Sequence, residues 1–148
     1  MANGLPARHY NGAKLDFPIS FLALRERHKI EARTNTDRVA LRYDELVTLI
    51  RSILEGISVD EPWYLATYRD VAQAIEAGQF SSAKHHFVMD GYFEGRLPYK
   101  IAVDEDWYLN AYPDVLESIL NQSFQSAEEH FEKFGYGEGR LPAAPEPD

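Results

Sequence analysis

From residue 37 to residue 55 the apolar side chains fall at Val39, Tyr43, Leu46, Leu49 or Ile50, and Ile53, the spacing of one face of a helix. Asp44 and Glu45 sit early, where acids suit a helix start, and Gly56 follows as a stop. The pattern predicts a helix over 37–55 whose broad apolar face must be covered. Upstream, Ile19, Phe21, Leu22 and Leu24 predict a shorter helix entered from Pro18, although the pattern fades after Leu24 and a strand pair competes there. Residues 1–17 carry Gly4, Pro6, Asn11 and Gly12 with no sustained period and read as an extended or partly disordered arm, with Leu5, Tyr10, Leu15 and Phe17 available for docking.

Downstream of residue 58 the pattern breaks into short segments that occur twice. Val59 to Pro98 and Val103 to Pro142 align without a gap at an offset of 44 residues, with 22 of 40 paired positions identical, so the repeat sets the architecture. Each copy predicts three short helices. Asp60 or Asp104 caps the first, which carries Trp63, Tyr64 and Leu65, or Trp107, Tyr108 and Leu109. Asp70-Val71 opens the second, which ends near Gly78; in the other copy Pro113-Asp114-Val115 opens it and Asn121 is placed to take the left-handed stop. Ser81 or Ser82, and Ser126, cap the third, which bears Ala83 and Phe87, or Ala127 and Phe131, and stops at Gly91 or Gly135. A Glu-Gly-Arg-Leu-Pro exit follows each. The expected fold is all-α: two tandem three-helix repeats capped by an N-terminal helical segment. It divides into an arm and capping helix at 1–58, repeat 1 at 59–98, and a linker, repeat 2 and disordered tail at 99–148, all in one compact domain.

The motif Trp-Tyr-Leu-x-x-Tyr-Pro-Asp-Val followed by His-Phe-x-x-x-Gly-x-x-Glu-Gly-Arg-x-Pro resembles the short repeats that flank catalytic domains in many bacterial glycosyltransferases and polysaccharide-synthesis proteins. Related forms occur in large secreted repeat proteins that bind calcium. The likeness covers residues 59–142 and implies a setting, the making or anchoring of surface polysaccharide, without implying a reaction. Residues 1–58 resemble no such family.

Charge and composition narrow the partners. Residues 1–58 carry 9 Lys and Arg against 7 acids, whereas residues 59–148 carry 6 against 17, so the repeat half stands at −11 and should repel nucleic acid and anionic lipid. The basic stretch Arg25 to Lys29 is interrupted by Glu26 and reads as a solvated helix face. The absence of cysteine removes disulfides, thiolate catalysis and cysteine zinc sites. No apolar run approaches a membrane span and the N-terminus lacks the order of a secretory signal, so the expected location is cytoplasmic.

Candidate chemistry is sparse. His86 and His130 are the repeat-equivalent histidines and read as packed side chains hydrogen-bonded within their repeats, since no third ligand stands at metal-binding spacing. Asp60-Glu61 and Asp104-Glu105-Asp106 lack the interleaved oxygens and glycine of a calcium loop and read as caps. Neither a metal nor a cofactor is expected. Arg96 and Arg140 stand either to clamp an acidic or phosphorylated ligand or to tie each exit turn to the acidic start of a repeat, the reading we favour. Trp63, Tyr64 and Tyr68, with Trp107, Tyr108 and Tyr112, stack on sugars if exposed and build cores if buried. No nucleophile elbow, phosphate loop or dinucleotide-binding glycine pattern is present, so an enzyme is not expected. These residues point to a non-catalytic interaction or assembly protein that binds a protein partner or itself. A carbohydrate-binding module and a regulatory partner-binding domain are the alternatives. Exposed aromatics would favour the glycan; an exposed apolar patch on the N-terminal helices would favour assembly.

Overall fold

The computed structural model describes residues 19–32 and 34–145. All regular structure among the described residues is helical, and the chain divides into two compact units between Ile57 and Ser58. The arm expected over 1–17, Pro18 and residues 146–148 lie outside the described residues.

The first unit holds α1 (Phe21–Arg27) and α2 (Tyr43–Leu54). Ser20 caps α1 by accepting from the Ala23 amide, and the helix stops where Lys29 turns to a φ of 52°. Helix α2 begins six residues later than the pattern at Asp37 predicts. The Asp37 carboxylate instead accepts from the Thr34 amide and hydroxyl at 2.9 and 3.0 Å, a local turn that competes with helix. The helix starts where Glu45 can accept from the Arg42 amide at 2.9 Å. A hydrogen bond of 3.0 Å between His28 Nε2 and Ser52 Oγ joins the end of α1 to α2.

The second unit contains the repeats. Repeat 1 has α3 (Glu61–Thr67), α4 (Arg69–Glu76) and α5 (Ala83–His86), the last running on as a π-helical turn, Phe87–Gly91. Repeat 2 matches it with α6 (Glu105–Ala111), α7 (Pro113–Leu120) and α8 (Ala127–His130), continued by the π turn Phe131–Gly135. Asp60 and Asp104 accept from the Trp63 and Trp107 amides at 3.1 Å, and Ser82 and Ser126 accept from the His85 and Glu129 amides. The left-handed stop of the second helix falls on Gly78 (φ 76°) and on Gln122 (φ 66°), not on Asn121. Asn121 keeps a negative φ, and its side-chain oxygen accepts from the Ser123 amide two residues on, which leaves the reversal to its neighbour.

Inside each repeat the buried set is Tyr64, Val71, Ala83 and Phe87, or Tyr108, Val115, Ala127 and Phe131. The tryptophans are only partly buried, so the tyrosine next to each one is the centre of the core. The exit of each repeat returns to its own entrance: the Asp60 amide donates to Pro98 O at 3.0 Å and the Asp104 amide to Pro142 O at 2.9 Å. The two repeats stack because Leu97 of repeat 1 enters the cluster of Tyr108, Val115, Ala127 and Phe131, with Trp63 packed beside it. Leu97 is therefore 2% exposed, whereas its counterpart Leu141 is 47% exposed.

This asymmetry gives a direct test of the stacking. Leu97→Ala should lower stability by about 2 to 5 kcal/mol, the range for a buried leucine. Leu141→Ala should cost about 0.5 kcal/mol or less, as at an exposed site. Urea denaturation of the two variants checks this; equal losses would mean that Leu97 is not the joint between the repeats.

Candidate functional site

The polar residues that the two copies share assemble into two linked devices in each repeat. The first is buried. Tyr64 Oη and His86 Nδ1 share a hydrogen bond of 3.0 Å, and Tyr108 Oη and His130 Nδ1 repeat it at 3.0 Å. Burial pushes both phenols above their usual range, so the hydroxyl keeps its proton. The other ring nitrogen, Nε2, in repeat 1 lies 4.0 Å from the Glu94 carboxylate. The hydroxyl reaches this place because the third helix widens into its π turn and ends in glycine. A Cβ added at Gly91 would collide with the Tyr64 hydroxyl, and one at Gly135 with the Tyr108 hydroxyl. These glycines thus serve close approach more than helix termination.

The second device is an arginine clasp on the exit turn. Arg96 Nη1 and Nη2 donate to the two oxygens of Asp70 at 2.9 and 2.7 Å, and Nε donates to Glu94 at 2.7 Å. The guanidinium lies 5.0 Å above the Tyr68 ring, and the Tyr68 hydroxyl accepts from the Leu97 amide at 3.0 Å. Arg140 makes the same set with Asp114 (2.9 and 2.7 Å), Glu138 (2.6 Å) and Tyr112 (4.9 Å), and Tyr112 accepts from the Leu141 amide at 2.9 Å. The partner is the aspartate at the start of the second helix, not the acidic cluster that opens a repeat. The turn of Gly95 or Gly139, at φ 76° or 74°, aims the guanidinium back across its own repeat. Its hydrogen bonds hold Asp70 and Asp114 below the usual carboxylate range.

These contacts decide the standing of the residues that the sequence offered as binders. Tyr64 and Tyr108 are fully buried, which excludes sugar stacking. Tyr68 and Tyr112 have one face under a guanidinium, and Trp63 and Trp107 meet them edge-on at 6.1 and 6.0 Å. Arg96 and Arg140 already fork to carboxylates and stack on a ring, leaving no fork free for an anion. Concavities of about 460 and 370 Å³ occur in the first unit, lined respectively by residues such as Lys29, Arg38 and Val39, and Arg27, Arg42 and Thr48; neither has a Trp, Tyr or Phe in its lining. Among the described residues no group of three or more His, Asp or Glu is placed to hold a metal, and no helix is long and apolar enough to cross a membrane.

The exposed apolar positions went unnoticed in the sequence. Leu116, Leu120 and Phe134 of repeat 2 are 41%, 75% and 51% exposed. Their counterparts at the 44-residue offset are Ala72, Glu76 and Asp90, so the fold itself does not require Leu116 or Leu120, whereas Phe134 meets Phe124 edge-on at 5.6 Å within its own repeat. The first unit adds Phe21, Leu22 and Tyr43, all strongly exposed. Comparing the copies position by position, with attention to differences instead of identities, is the signal that finds the repeat 2 set. No protein-family model, curated protein or solved structure matches the chain.

Two predictions follow from the geometry of the devices. Arg96→Lys and Arg140→Lys keep the charge but lose the planar fork; because Asp70 and Asp114 are largely exposed, we expect a loss of about 1 to 2 kcal/mol each in urea denaturation. Parent-like midpoints in both variants would refute the clasp.

The second prediction concerns pH. His86 is held below its ordinary value of 6.5 by burial and then by Arg96, against the opposing pull of Glu94, Asp90 and Asp70. His130 is held down by burial and Arg140, against Glu138 and Asp114. The unfolded chain protonates these rings first, so stability is full above about pH 6.5 and falls as pH drops through their lower folded values. Asp70 and Asp114, also depressed, add a separate loss below about 3.8. The urea midpoint should fall from about pH 7 to about pH 5, and replacing both histidines by Gln should flatten that slope. A parent midpoint constant across this interval is the contrary result.

Proposed function

We propose that the chain is a non-catalytic interaction protein that docks a protein partner through apolar side chains held on its repeat scaffold. The observation that carries this reading is the exposure of Leu116 and Leu120 at sites where the same fold is content with Ala72 and Glu76. Apolar groups that a scaffold does not need, left open to solvent, are the ordinary mark of a protein–protein contact. Phe21, Leu22 and Tyr43 on the N-terminal helices meet the same description. The polar motif supports the reading from the other side, because its tyrosines, histidines and arginines are consumed in holding each repeat together.

The likeness of the motif to repeats that flank bacterial glycosyltransferases supports a setting in surface-polysaccharide synthesis or the cell envelope, with the chain serving assembly and not sugar transfer. A carbohydrate-binding role is less well supported, since the Trp and Tyr sets meet one another edge-on and lie partly under guanidinium groups.

The test exchanges Leu116→Ala and Leu120→Glu, giving repeat 2 the residues that repeat 1 carries. The double variant should melt within a few degrees of the parent, as surface changes do, yet lose partners recovered by in-cell cross-linking from the source organism. Undiminished recovery would remove the observation on which the reading stands. A glycan array bound by the parent and by this variant alike would turn the reading toward carbohydrate.

A further inference from the structure

The face of repeat 2 that carries Leu141 and Trp107 is the duplicate of one whose occupant is visible. In repeat 1 the same two positions, Leu97 and Trp63, are seated on the core cluster of repeat 2, Tyr108, Val115, Ala127 and Phe131, with Val103 packed against it. Leu141 is held ready in the same way as Leu97. Its amide donates to the Tyr112 hydroxyl at 2.9 Å, as the Leu97 amide does to Tyr68 at 3.0 Å, and Arg140 clasps the turn before it as Arg96 does. The two leucines leave identical turns, yet one is 2% and the other 47% exposed. The difference is the presence of a following repeat.

We propose that this end face of repeat 2 docks a further repeat of the same kind, carried by a partner polypeptide, which seats Leu141 as repeat 2 seats Leu97. The proposal deepens the assembly reading and rests on it, naming the face and the chemistry of the partner. A second copy of this chain is a poor occupant. Pairing two copies through the Leu141 face itself would bring together two halves that each stand at −11. A partner repeat with the Val103 and Leu109 pattern at its entrance and without that surplus of acid does not meet this obstacle.

The probe is the full chain lengthened by a second copy of residues 99–142 placed directly after Pro142, so that Tyr99 of the added copy follows Pro142 as Tyr99 follows Pro98. Stacked repeats gain stability from each interface, so the lengthened chain should melt in one transition about 5 °C or more above the parent. Leu141→Glu should abolish that gain in the lengthened chain and leave the parent's melting temperature unchanged. The proposal is overturned if the lengthened chain melts no higher than the parent, if the added repeat melts separately, or if Leu141→Glu has no effect on the gain. It is equally overturned if sedimentation shows the parent to be a dimer that Leu141→Glu dissociates, since the occupant is then a second copy. Loss of the thermal gain with partner capture intact removes this face alone. Failure of the Leu116 and Leu120 exchange to alter capture, with the thermal gain intact, removes the assembly reading.

Discussion

The buried tyrosine hydroxyl is the constraint around which each repeat is organised. A phenol brought to full burial brings an O–H that costs about 1 to 3 kcal/mol if left without a partner, and here the partner is the histidine of the third helix. Meeting it forces the first and third helices together at the level of the π turn, where any residue larger than glycine would strike the ring tip. Three features of the motif that look independent along the chain, Tyr, His and the glycine five residues after the His, are therefore one steric and hydrogen-bonding requirement. Phe87 and Phe131 fill the space beside the rings edge-on at 6.2 and 6.1 Å.

The arginine clasp answers a different need. A unit of three helices, two of them only seven or eight residues long and the third a four-residue turn that continues as a π turn, is far below the length at which helices hold by themselves, so its ends must be fixed by tertiary contacts. Arg96 joins the exit turn to the start of the second helix through Asp70, while the Tyr68 hydroxyl fixes the Leu97 amide and Pro98 O receives the Asp60 amide. The chain leaves each repeat beside the point where it entered. Closure of this kind places Leu97 at a defined position on the rim, and that position is what allows one repeat to stack on another.

Much of this was legible before the fold was known, because the strongest signals were local. The N-caps at Asp60, Asp104 and Ser126 depend on residues within three positions and stand where the pattern put them, and of Ser81 and Ser82 it is Ser82 that caps. Long-range pairing was not legible: Arg96 and Asp70 are 26 residues apart, and composition offers nearer acids. Reading Trp63 and Tyr64 as one aromatic set left open which of them is central, since bulk predicts how much surface a side chain can bury but not which of two neighbours faces inward. The start of α2 was misplaced because an apolar period continues through Val39, while the hydrogen bonds of Asp37 to Thr34 stop the backbone from following it.

The same reasoning separates what the two copies share from what they do not. Among the identical positions, the caps, the core, the clasp, the Tyr–His pair and the left-handed glycine of the exit turn each meet a requirement of the fold, so their identity carries little information about a ligand. Among the positions that differ, the second copy places Leu116 and Leu120 toward solvent in place of Ala72 and Glu76, where none of those requirements applies. An exposed leucine alone is unremarkable on any protein surface. Two substitutions toward leucine, in a half whose composition is otherwise strongly acidic, run against what solubility favours and need a cause outside the repeat's own stability. On the docking role proposed above, a partner surface supplies that cause; Phe93 of repeat 1, 40% exposed where repeat 2 has Gly137, differs from the two leucines in meeting Tyr92 edge-on at 5.4 Å.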